Sequence, residues 1–524
     1  MGVKGLKRWV SVKCNSRRTL LSKRKEKFIA IDALGFMYFL YKTESLDWLY
    51  GGQFSRFEAA LVRYITSVRK VGFEPVFFFD GKRDENKWET SLQRAKERAE
   101  TCNLIKTMIK EGTLEESFVR RNMLSPSGIR RHYVHIVRAN NCRIMKAAYE
   151  ADGDIAKFFK SNPGDCFAVW TNDSDLLCYK DIPRVVFFED ITLTSAGDIC
   201  CNYFEQTNVL ANLNIPANFL PALVAMLGND LLNSKQDKLH SDKIKSAVAK
   251  ECGLRSLSSC NNVKLITICS RYLQKFKRNS DEHSLDAMIA KSLGVPIGRF
   301  QSTRLAYFTL PGIVEETVVE QDTRIFFPPD FGQMPLYQIM EDLRYCAYTL
   351  SFLGRTVAEY NLIESSQPRV FKIRESIHCV RTIENLKQET LPLPVLAIKV
   401  LRQLVPSAGH HVYDLEWRSL LSFLATDEAV NQELYGGSDT SFETLVSKKF
   451  IFRVRSIIML YLLTLDYLVK ICDKPADYNS FDGILYSVAY ERNINDPNSI
   501  VQSAWENEVF EECPKKLIET KSDA

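Results

Sequence analysis

Five short apolar runs in the first half of the chain alternate with segments of helical spacing, and this alternation restricts the fold most strongly. The runs are FIAID (28–32), PVFFFD (75–80), CRIMKAA (142–148), CFAVW (166–170) and RVVFF (184–188). Between them, RFEAALVRYITSVRKVG (56–72) and YEADGDIAKFFK (149–160) repeat apolar residues as helices do. Strands and helices in this order predict an α/β fold with a mostly parallel central sheet and helices on both faces.

Acidic residues stand at or just beyond the ends of four predicted strands, and one more follows the later apolar segment FLPALVAMLG. They are Asp32, Asp80, Glu150, Asp152, Asp173, Asp175 and Asp230. The carboxyl ends of parallel strands lie at one edge of a sheet, where such folds form their sites. The sequence therefore predicts that these carboxylates converge.

Carboxylates that converge in one crevice require compensation, because neighbouring like charges raise each other's pKa. Oxygen-only ligand sets suit Mg²⁺ or Mn²⁺. Two such ions about 4 Å apart can clamp the attacking and leaving oxygens of a phosphodiester, so metal-dependent phosphodiester hydrolysis is the predicted chemistry. For any single acid the alternative is a helix N-cap or a turn residue. We expect such a supporting role for Asp154, which stands beside the cluster.

The second half of the chain has a different pattern. Residues 233–262 are polar and rich in Ser, Lys and Asn, which suggests a domain boundary. We predict one domain over 1–235 and a mainly helical domain with some strands over 236–524. Helical patterns in the second domain cover 335–360, 393–405, 415–432 and 443–472. In the first domain, HYVHIV (132–137) alternates like a strand.

The charge distribution and the spacing of the cysteines restrict the possible function and location of the protein. Residues 1–27 hold ten Lys or Arg against one acid, Glu26, which suits phosphate binding or a nuclear address as well as a solvated surface. The fourteen cysteines include no Cys-x-x-Cys pair, which argues for free thiols in a reducing compartment. The most apolar runs are short and contain aspartate, so no membrane span is expected.

Several motifs together resemble the flap endonuclease, or XPG-type, structure-specific nucleases. They are MGVKGL (1–6), IAIDALGFMYFL (29–40), FFFDGK (77–82), YEADGD (149–154), WTNDSD (170–175) and MLGND (226–230). Within that superfamily the chain is most similar to the asteroid proteins, because of its early YGG (50–52), its EAD-x-D motif and its LGND. The resemblance covers about residues 1–235. It implies a PIN-like nuclease domain in which the charged stretch 82–138 forms a helical arch or cap.

The resemblance also implies roles for individual residues. The seven acids would bind two Mg²⁺ or Mn²⁺ ions, and Lys87 and Arg94 would be catalytic contacts to the scissile phosphate. Other residues implied to contact nucleic acid are Gly2, Tyr38, Arg120 and Arg121. Tyr38 would stack on a base, and the two arginines would line the arch. For these side chains a solvated helix face or, for Tyr38, a core position remains the alternative.

The implied function is hydrolysis of single-stranded or branched DNA in end processing or repair, with RNA as a second substrate class. The implied location is the nucleus, with the cytoplasm as a second location, no membrane partner, and a protein partner for the C-terminal domain. The family's link to epidermal growth factor receptor signalling leaves a non-cutting scaffold open. Two departures are visible: no glycine-bearing helix–two-turn–helix follows Asp230, and Asp152 replaces the family's glutamate.

Overall fold

The computed structural model describes most of the first half of the chain and parts of the second. The described residues are 3, 5–81, 88–126, 128–227, 246–250, 253, 261–276, 288, 317–320, 341–352, 356–360, 369–372, 376–404, 414–426, 428–436, 438, 451–474 and 481–500. They group into two compact units. The first draws on Met1–Phe39, Val62–Gln93 and Val137–Ile313, and the second on Leu40–Leu61, Arg94–Ile136 and Val314–Ala524.

An eight-stranded sheet organises the first unit. Its strands are β1 (Arg17–Leu20), β2 (Phe28–Asp32), β3 (Glu74–Phe79), β4 (Arg143–Lys146), β5 (Cys166–Thr171), β6 (Arg184–Phe187), β7 (Ile191–Leu193) and β8 (Ile199–Glu205). The order is β1-β8-β6-β5-β2-β3-β4, with β7 paired to β8. Strands β6, β5, β2, β3 and β4 run parallel. The predicted mostly parallel sheet and its five strands are confirmed.

The helices given for the described part of the first 276 residues alternate with these strands. They are α1 (Leu6–Lys13), α2 (Ala33–Thr43), α3 (Phe54–Lys70), α4 (Trp88–Glu111), α5 (Glu116–Arg121), α6 (Ile129–Ala139), α7 (Ala151–Ser161), α8 (Gln206–Leu213), α9 (Leu220–Leu227) and α10 (Asn262–Gln274).

Both faces of the sheet are covered by helices. On one face, Ala30, Val76 and Val169 belong to a buried cluster with apolar side chains of α1, α7, α8, α9 and α10. The alternate side chains of the strands point to the opposite face. There Trp170 meets Phe36 of α2, whose ring also packs edge-on against Tyr64 of α3, with centroids 5.4 Å apart. Because both faces of the sheet are buried, the sequences of its strands are continuous apolar runs.

The antiparallel edge of the sheet was not predicted. Strand β8 pairs antiparallel with β6, β1 and β7. The β1 sequence, RRTL, lies inside the basic segment and has no apolar alternation, so only its pairing with Cys200–Tyr203 makes it a strand. Basic residues of this segment also form ion pairs, including Arg17 with Glu205 and Lys27 with Asp165.

The described residues of the second half form a small sheet and several helices. They are β9 (Thr317–Glu320), α11 (Glu341–Phe352), β10 (Thr356–Tyr360), β11 (Arg369–Lys372), α12 (Ile377–Gln388), α13 (Leu393–Leu404), α14 (Asp414–Ala425), α15 (Glu428–Tyr435), α16 (Ile451–Cys472) and α17 (Gly483–Asn495). Strand β10 lies between β11 and β9. The buried helix α16 contacts α11, α12 and α13. The mainly helical character with some strands is as predicted.

Two local predictions were wrong. HYVHIV is part of helix α6, because Ile129, Tyr133, Ile136 and Val137 are buried at helical spacing and outweigh a six-residue alternation. The predicted helix over 335–360 ends at Phe352, and Thr356–Tyr360 is strand β10, held by pairing on both sides. In the described part of the chain, no helix is both long and apolar enough to cross a membrane.

Within the second unit, a buried polar contact ties the YGG segment to α17. Gln53 Nε2 donates to Asp482 Oδ2 at 2.8 Å, and Gln53 Oε1 accepts from Asp47 N at 2.9 Å. Asp482 also caps α17 by accepting from the amides of Ile484 and Leu485. Burial raises the pKa of Asp482, so its carboxylate depends on these donors.

Replacing Gln53 by Met is expected to lower the free energy of unfolding by about 1–3 kcal/mol, because it leaves a buried carboxylate short of a donor. Urea unfolding of Gln53→Met, Asp482→Asn and the double variant would measure the coupling. We expect the double variant to cost less than the sum of the singles. Strictly additive costs would contradict a direct contact.

Candidate functional site

Four neighbouring strands end at the same edge of the first unit's sheet. Because β5, β2, β3 and β4 are adjacent and parallel, their carboxyl ends lie side by side. Asp32 is the last residue of β2, and Asp80 directly follows β3. Asp173 and Asp175 follow β5, while Glu150 and Asp152 stand at the start of α7 after β4. These six residues therefore follow adjacent parallel strands as predicted, and their role as metal ligands stays a prediction.

Asp32 is oriented by two donors. Its Oδ1 accepts from the amide of Gly35 at 3.1 Å, and its Oδ2 accepts from the Thr171 hydroxyl at 2.9 Å. Gly35 lies so close to the Asp32 carboxylate that a β-carbon added to Gly35 would stand 2.6 Å from Asp32 Oδ2. Thr171 is the last residue of β5, so β5 positions the acid of β2.

Asp80 joins the end of β3 to the start of α7. Its Oδ1 accepts from the amide of Ala151 at 2.9 Å, which is the first residue of that helix. The next residue, Gly81, donates its amide to the carbonyl of Tyr149 at 2.6 Å. The β3 end and the segment that carries Glu150 are therefore held against each other by backbone contacts.

The TNDSD turn presents its two aspartates differently. Asp173 is half-buried, caps the 3-10 turn Ser174–Cys178 and accepts from the amide of Asp175 at 3.0 Å. Asp175 is buried and accepts from the amide of Val3, which lies just before α1. The amino-terminal segment thus supplies a donor to one of the two carboxylates.

The carboxylates are close enough to affect each other's protonation. The pKa of Asp32 is raised to about 7, mainly by burial and also by the charges of Asp80 and Asp173, although its two donors oppose the shift. Burial also raises the pKa of Tyr179, with added contributions from the charges of Asp152, Asp175 and Asp173. The charge of Asp173 contributes to both shifts, so Asp173 lies within electrostatic range of both Asp32 and Tyr179.

The donor chemistry fits hard divalent cations. All these side chains offer oxygen, and a desolvated carboxylate within electrostatic range of two others ionises more readily when a cation is bound. Within the described residues, no three His, Cys, Asp or Glu side chains already form a group that could hold a metal ion. Several of the carboxylate oxygens instead accept hydrogen bonds from backbone amides or from Thr171.

Other predicted site residues are placed as follows. Gly2, Lys87 and Asp230 lie outside the described residues. Tyr38 is half-buried on α2 in the first unit, and Arg94 is half-buried on α4 in the second. In the second unit, Arg120 donates to Glu116 at 2.8 Å and to Ser45, and Arg121 donates to the carbonyl of Ser117. Their contacts to nucleic acid stay predictions.

Asp154 has the kind of role expected for it. It lies in the first turn of α7 and forms an ion pair with Lys157 at 2.9 Å, one turn along the same helix. Its carboxylate is therefore compensated by a surface lysine.

Sequence reasoning missed several residues that build the site. They are Val3, Lys7, Thr171, Asn172 and Tyr179. Lys7 Nζ lies 2.9 Å from Asn172 Oδ1 and 2.8 Å from both Glu189 carboxylate oxygens, which fixes α1 to the turn before Asp173. The threonine and asparagine stand within the TNDSD motif, which was a usable signal. The contacts of Val3 and Lys7 span more than 160 residues and leave no local signal.

Comparison with known proteins finds a family model that matches the first part of this chain. Residues 1–101 match the family model described as the XPG N-terminal domain. This match confirms the resemblance to XPG-type proteins, and the relative ASTE1 described below confirms that to the asteroid proteins.

Two related proteins show how far the similarity extends. The constitutive coactivator of peroxisome proliferator-activated receptor gamma from Bos taurus is 26% identical over 251 residues, 44% of this chain and 33% of that protein. Single-strand DNA endonuclease ASTE1 from Danio rerio is 23% identical over 241 residues, 44% of this chain and 32% of that protein. The match thus spans about a third of the length of these relatives.

Solved structures are also similar, at lower identity. The catalytic core of Rad2 in complex with DNA substrate is 17% identical, covers 60% of this chain and 90% of its own, and has a TM-score of 0.34. Flap endonuclease-1 from Methanococcus jannaschii is 15% identical, covers 57% of this chain and 97% of its own, and has a TM-score of 0.28. The α/β architecture itself rests on the strand order described above.

Proposed function

We propose that this protein is a structure-specific nuclease that hydrolyses phosphodiester bonds in single-stranded or branched DNA with two Mg²⁺ or Mn²⁺ ions. The observation that carries the proposal is the placement of carboxylates after four adjacent parallel strands, where the charges of Asp80 and Asp173 act on Asp32. The XPG N-terminal match supports it, as does a relative named as a single-strand DNA endonuclease.

The residues of the site would have different roles in this reaction. Asp32, Asp80, Asp152, Asp173 and Asp175 would hold the two ions, with Glu150 and Asp230 completing the set. When bound, the ions supply a nucleophilic hydroxide and offset charge on the leaving oxygen. Thr171 and the Gly35 amide hold Asp32, and the Val3 amide holds Asp175. Lys87 and Arg94 are proposed to grip the phosphate.

A cleavage assay with matched variants tests this function. End-labelled single strand, 5′ flap, 3′ overhang and blunt duplex DNAs, and a single-stranded RNA, would each be incubated with Mg²⁺, Mn²⁺ or EDTA. Asp173→Asn should abolish metal-dependent cleavage, because this carboxylate is a proposed metal ligand whose charge acts on Asp32. Asp154→Asn, which removes a nearby surface carboxylate, should retain it. Cleavage that survives in Asp173→Asn or in EDTA would refute the proposal.

A non-cutting role is the second candidate, because the Bos taurus relative is named as a coactivator. Retention of the clustered acids favours the enzyme, since a scaffold has no need for mutually repelling carboxylates. DNA binding that is unchanged by Asp173→Asn, without cleavage of any substrate, would favour the scaffold. We propose a nuclear location and a role in DNA end processing, for which the basic segment 1–27 is the support.

Lys7 is predicted to tune the site without stabilising the fold. Its ion pair with Glu189 is exposed and contributes at most about 1 kcal/mol, so Lys7→Met should leave the melting temperature nearly unchanged. Because it holds the turn before Asp173, we expect the Mn²⁺ concentration for half-maximal cleavage to rise about 10-fold or more. Lys157→Met, which removes another surface pair, is the control. Equal effects of both variants would exclude a specific role for Lys7.

A further inference from the structure

One buried hydroxyl connects the ends of strands β2 and β5. Thr171, the last residue of β5, is completely buried. Its Oγ1 donates to Asp32 Oδ2 at 2.9 Å, and the amide of Asp173 donates to the same Oγ1 at 2.9 Å. A hydroxyl has one proton and two lone pairs, so it can make both hydrogen bonds at once. The carboxylate of Asp32 and the backbone of Asp173 are therefore fixed to a single oxygen atom.

On the β2 side, Asp32 has one donor for each carboxylate oxygen. The amide of Gly35 donates to Oδ1 at 3.1 Å, and the Thr171 hydroxyl donates to Oδ2. Among the residues that the structure describes, no other group donates to Oδ2. A carboxylate offers about four lone pairs, so two remain to bind a cation. Thr171 thus orients the Asp32 carboxylate and leaves it able to act as a ligand.

On the β5 side, the Thr171 hydroxyl begins a series of hydrogen bonds through the TNDSD turn. It accepts from the amide of Asp173, whose Oδ1 accepts from the amide of Asp175 at 3.0 Å. The side chain of Asp175 in turn accepts from the amide of Val3. Because each step ties a backbone amide to a side-chain oxygen, a displacement of Thr171 would move Asp173 as well as Asp32.

We propose that Thr171 is a positioning residue of the metal site, because its hydroxyl holds the Asp32 carboxylate and the Asp173 backbone in one fixed arrangement. The inference rests on the proposed function and concerns a residue that does not itself bind metal. Replacing a residue that hydrogen-bonds to a metal ligand lowers metal affinity or activity by about 10–100-fold. Loss of a hydroxyl that serves two ligands should therefore raise the Kd for Mn²⁺ by about 10-fold or more.

Two substitutions separate the hydroxyl of Thr171 from its shape. Thr171→Val keeps the branched side chain and removes the hydroxyl, whereas Thr171→Ser keeps the hydroxyl and removes the methyl group. If the hydroxyl positions the ligands, the serine variant should bind Mn²⁺ nearly as wild type does, and the valine variant should bind it about 10-fold more weakly or worse. A residue that only fills space predicts the opposite order, because valine fills the site and serine leaves a small cavity.

Electron paramagnetic resonance of free Mn²⁺ measures these affinities in the intact protein without DNA. Thr267→Val is the matched control, because it removes another hydroxyl of the first unit that contacts no carboxylate. Thr267 Oγ1 accepts from the Trp9 indole at 3.1 Å and donates to the carbonyl of Val263 at 3.2 Å. We expect wild-type affinity for this control. Wild-type affinity of Thr171→Val, or a loss in Thr171→Ser as large as that in Thr171→Val, would overturn the inference.

Hydrogen exchange tests the Asp173 half of the contact in the metal-free protein. The amide of Asp173 is protected by the Thr171 hydroxyl, so the peptide that contains it should exchange faster in Thr171→Val and not in Thr171→Ser. Unchanged exchange in Thr171→Val would show that the hydroxyl does not hold this turn. If melting curves show that Thr171→Val does not fold, Thr171→Ser decides: near-wild-type Mn²⁺ affinity supports the inference, and a loss of about 10-fold overturns it.

Binding and cleavage together distinguish failure of this inference from failure of the proposed function. A wild-type protein that binds no Mn²⁺ and cleaves no DNA would refute the metal-dependent function and the positioning role with it. A wild-type protein that binds Mn²⁺ and cleaves DNA, matched in both by Thr171→Val, would refute the positioning role alone.

Discussion

Replacing Asp32 by Asn is expected to abolish cleavage and to stabilise the metal-free protein at neutral pH. Cleavage should fall by at least about 100-fold, because even mutation of a residue that only hydrogen-bonds to a metal ligand lowers activity or metal affinity by about 10–100-fold. The stability gain follows from the raised pKa of Asp32, which moves from 3.8 to about 7 in the folded protein. The folded state then binds a proton that the unfolded state releases.

The pH dependence has a definite sign. Between about pH 4 and 7 the folded wild type binds more protons than the unfolded chain, so its free energy of unfolding falls as pH rises. Asparagine cannot ionise, so the free energy of unfolding of Asp32→Asn should not fall in this pH range. At pH 7 it should exceed that of the wild type by about 1–3 kcal/mol after solvent screening. At pH 4 the two proteins should be nearly equal.

Urea unfolding in EDTA at pH 4.5, 6 and 7.5 would measure the difference. Asp154→Asn is the control, since its carboxylate is paired with Lys157 at the surface and should show little pH-dependent gain. Adding Mn²⁺ should stabilise the wild type and not Asp32→Asn. A stability difference that does not change with pH would show that Asp32 is not desolvated as the structure indicates.

Replacing Gly81 by Ala is expected to disable the site although no carboxylate is removed. A β-carbon at Gly81 would lie 2.0 Å from the carbonyl oxygen of Ala147 and 2.4 Å from that of Ala148. Backbone atoms cannot rotate away as a flexible side chain can, so the end of β3 and the segment before α7 must move apart. Such overpacking costs about 1–3 kcal/mol. A displacement of about 1 Å between Asp80 and Asp152 would lower cleavage about 100-fold.

Gly153→Ala is the matched control, because it adds a methyl group within the same acidic motif. A β-carbon at Gly153 meets nothing within 4 Å, and the residue lies in the first turn of α7. We expect unchanged cleavage and a gain of about 0.5–1 kcal/mol from the better helix former. Thermal unfolding and initial cleavage rates would compare the two variants. Wild-type behaviour of Gly81→Ala would contradict the close approach of these segments.

Much of the parallel core was accessible from local pattern alone. FIAID, PVFFFD and CFAVW are continuous apolar runs because their strands are covered on both faces, and helical spacing between them leaves few topologies. The position of Asp32, Asp80 and Asp173 at one edge followed from parallel pairing. These features depend on periodicity within a few residues, which a sequence displays directly.

The antiparallel edge and the short strands of the second half were not accessible in this way. In the sequence, RRTL is part of a basic segment, and TVAEY ends a stretch whose pattern predicts a helix. Both become strands because a distant partner satisfies their backbone groups. Local propensity is a weak prior where such pairing competes with it.

By itself, then, the sequence determined the α/β class, the order of strands and helices in the core and the chemical type of the site. Only the tertiary structure decided that Asp173 lies within electrostatic range of Asp32 and Tyr179 and that Val3 and Lys7 support the TNDSD turn. It likewise showed that Gly81 packs against the segment before α7. The Val3–Asp175 contact joins residues 172 positions apart. Interactions at that separation depend on how the whole chain packs, whereas strand and helix periodicity arises from neighbouring residues.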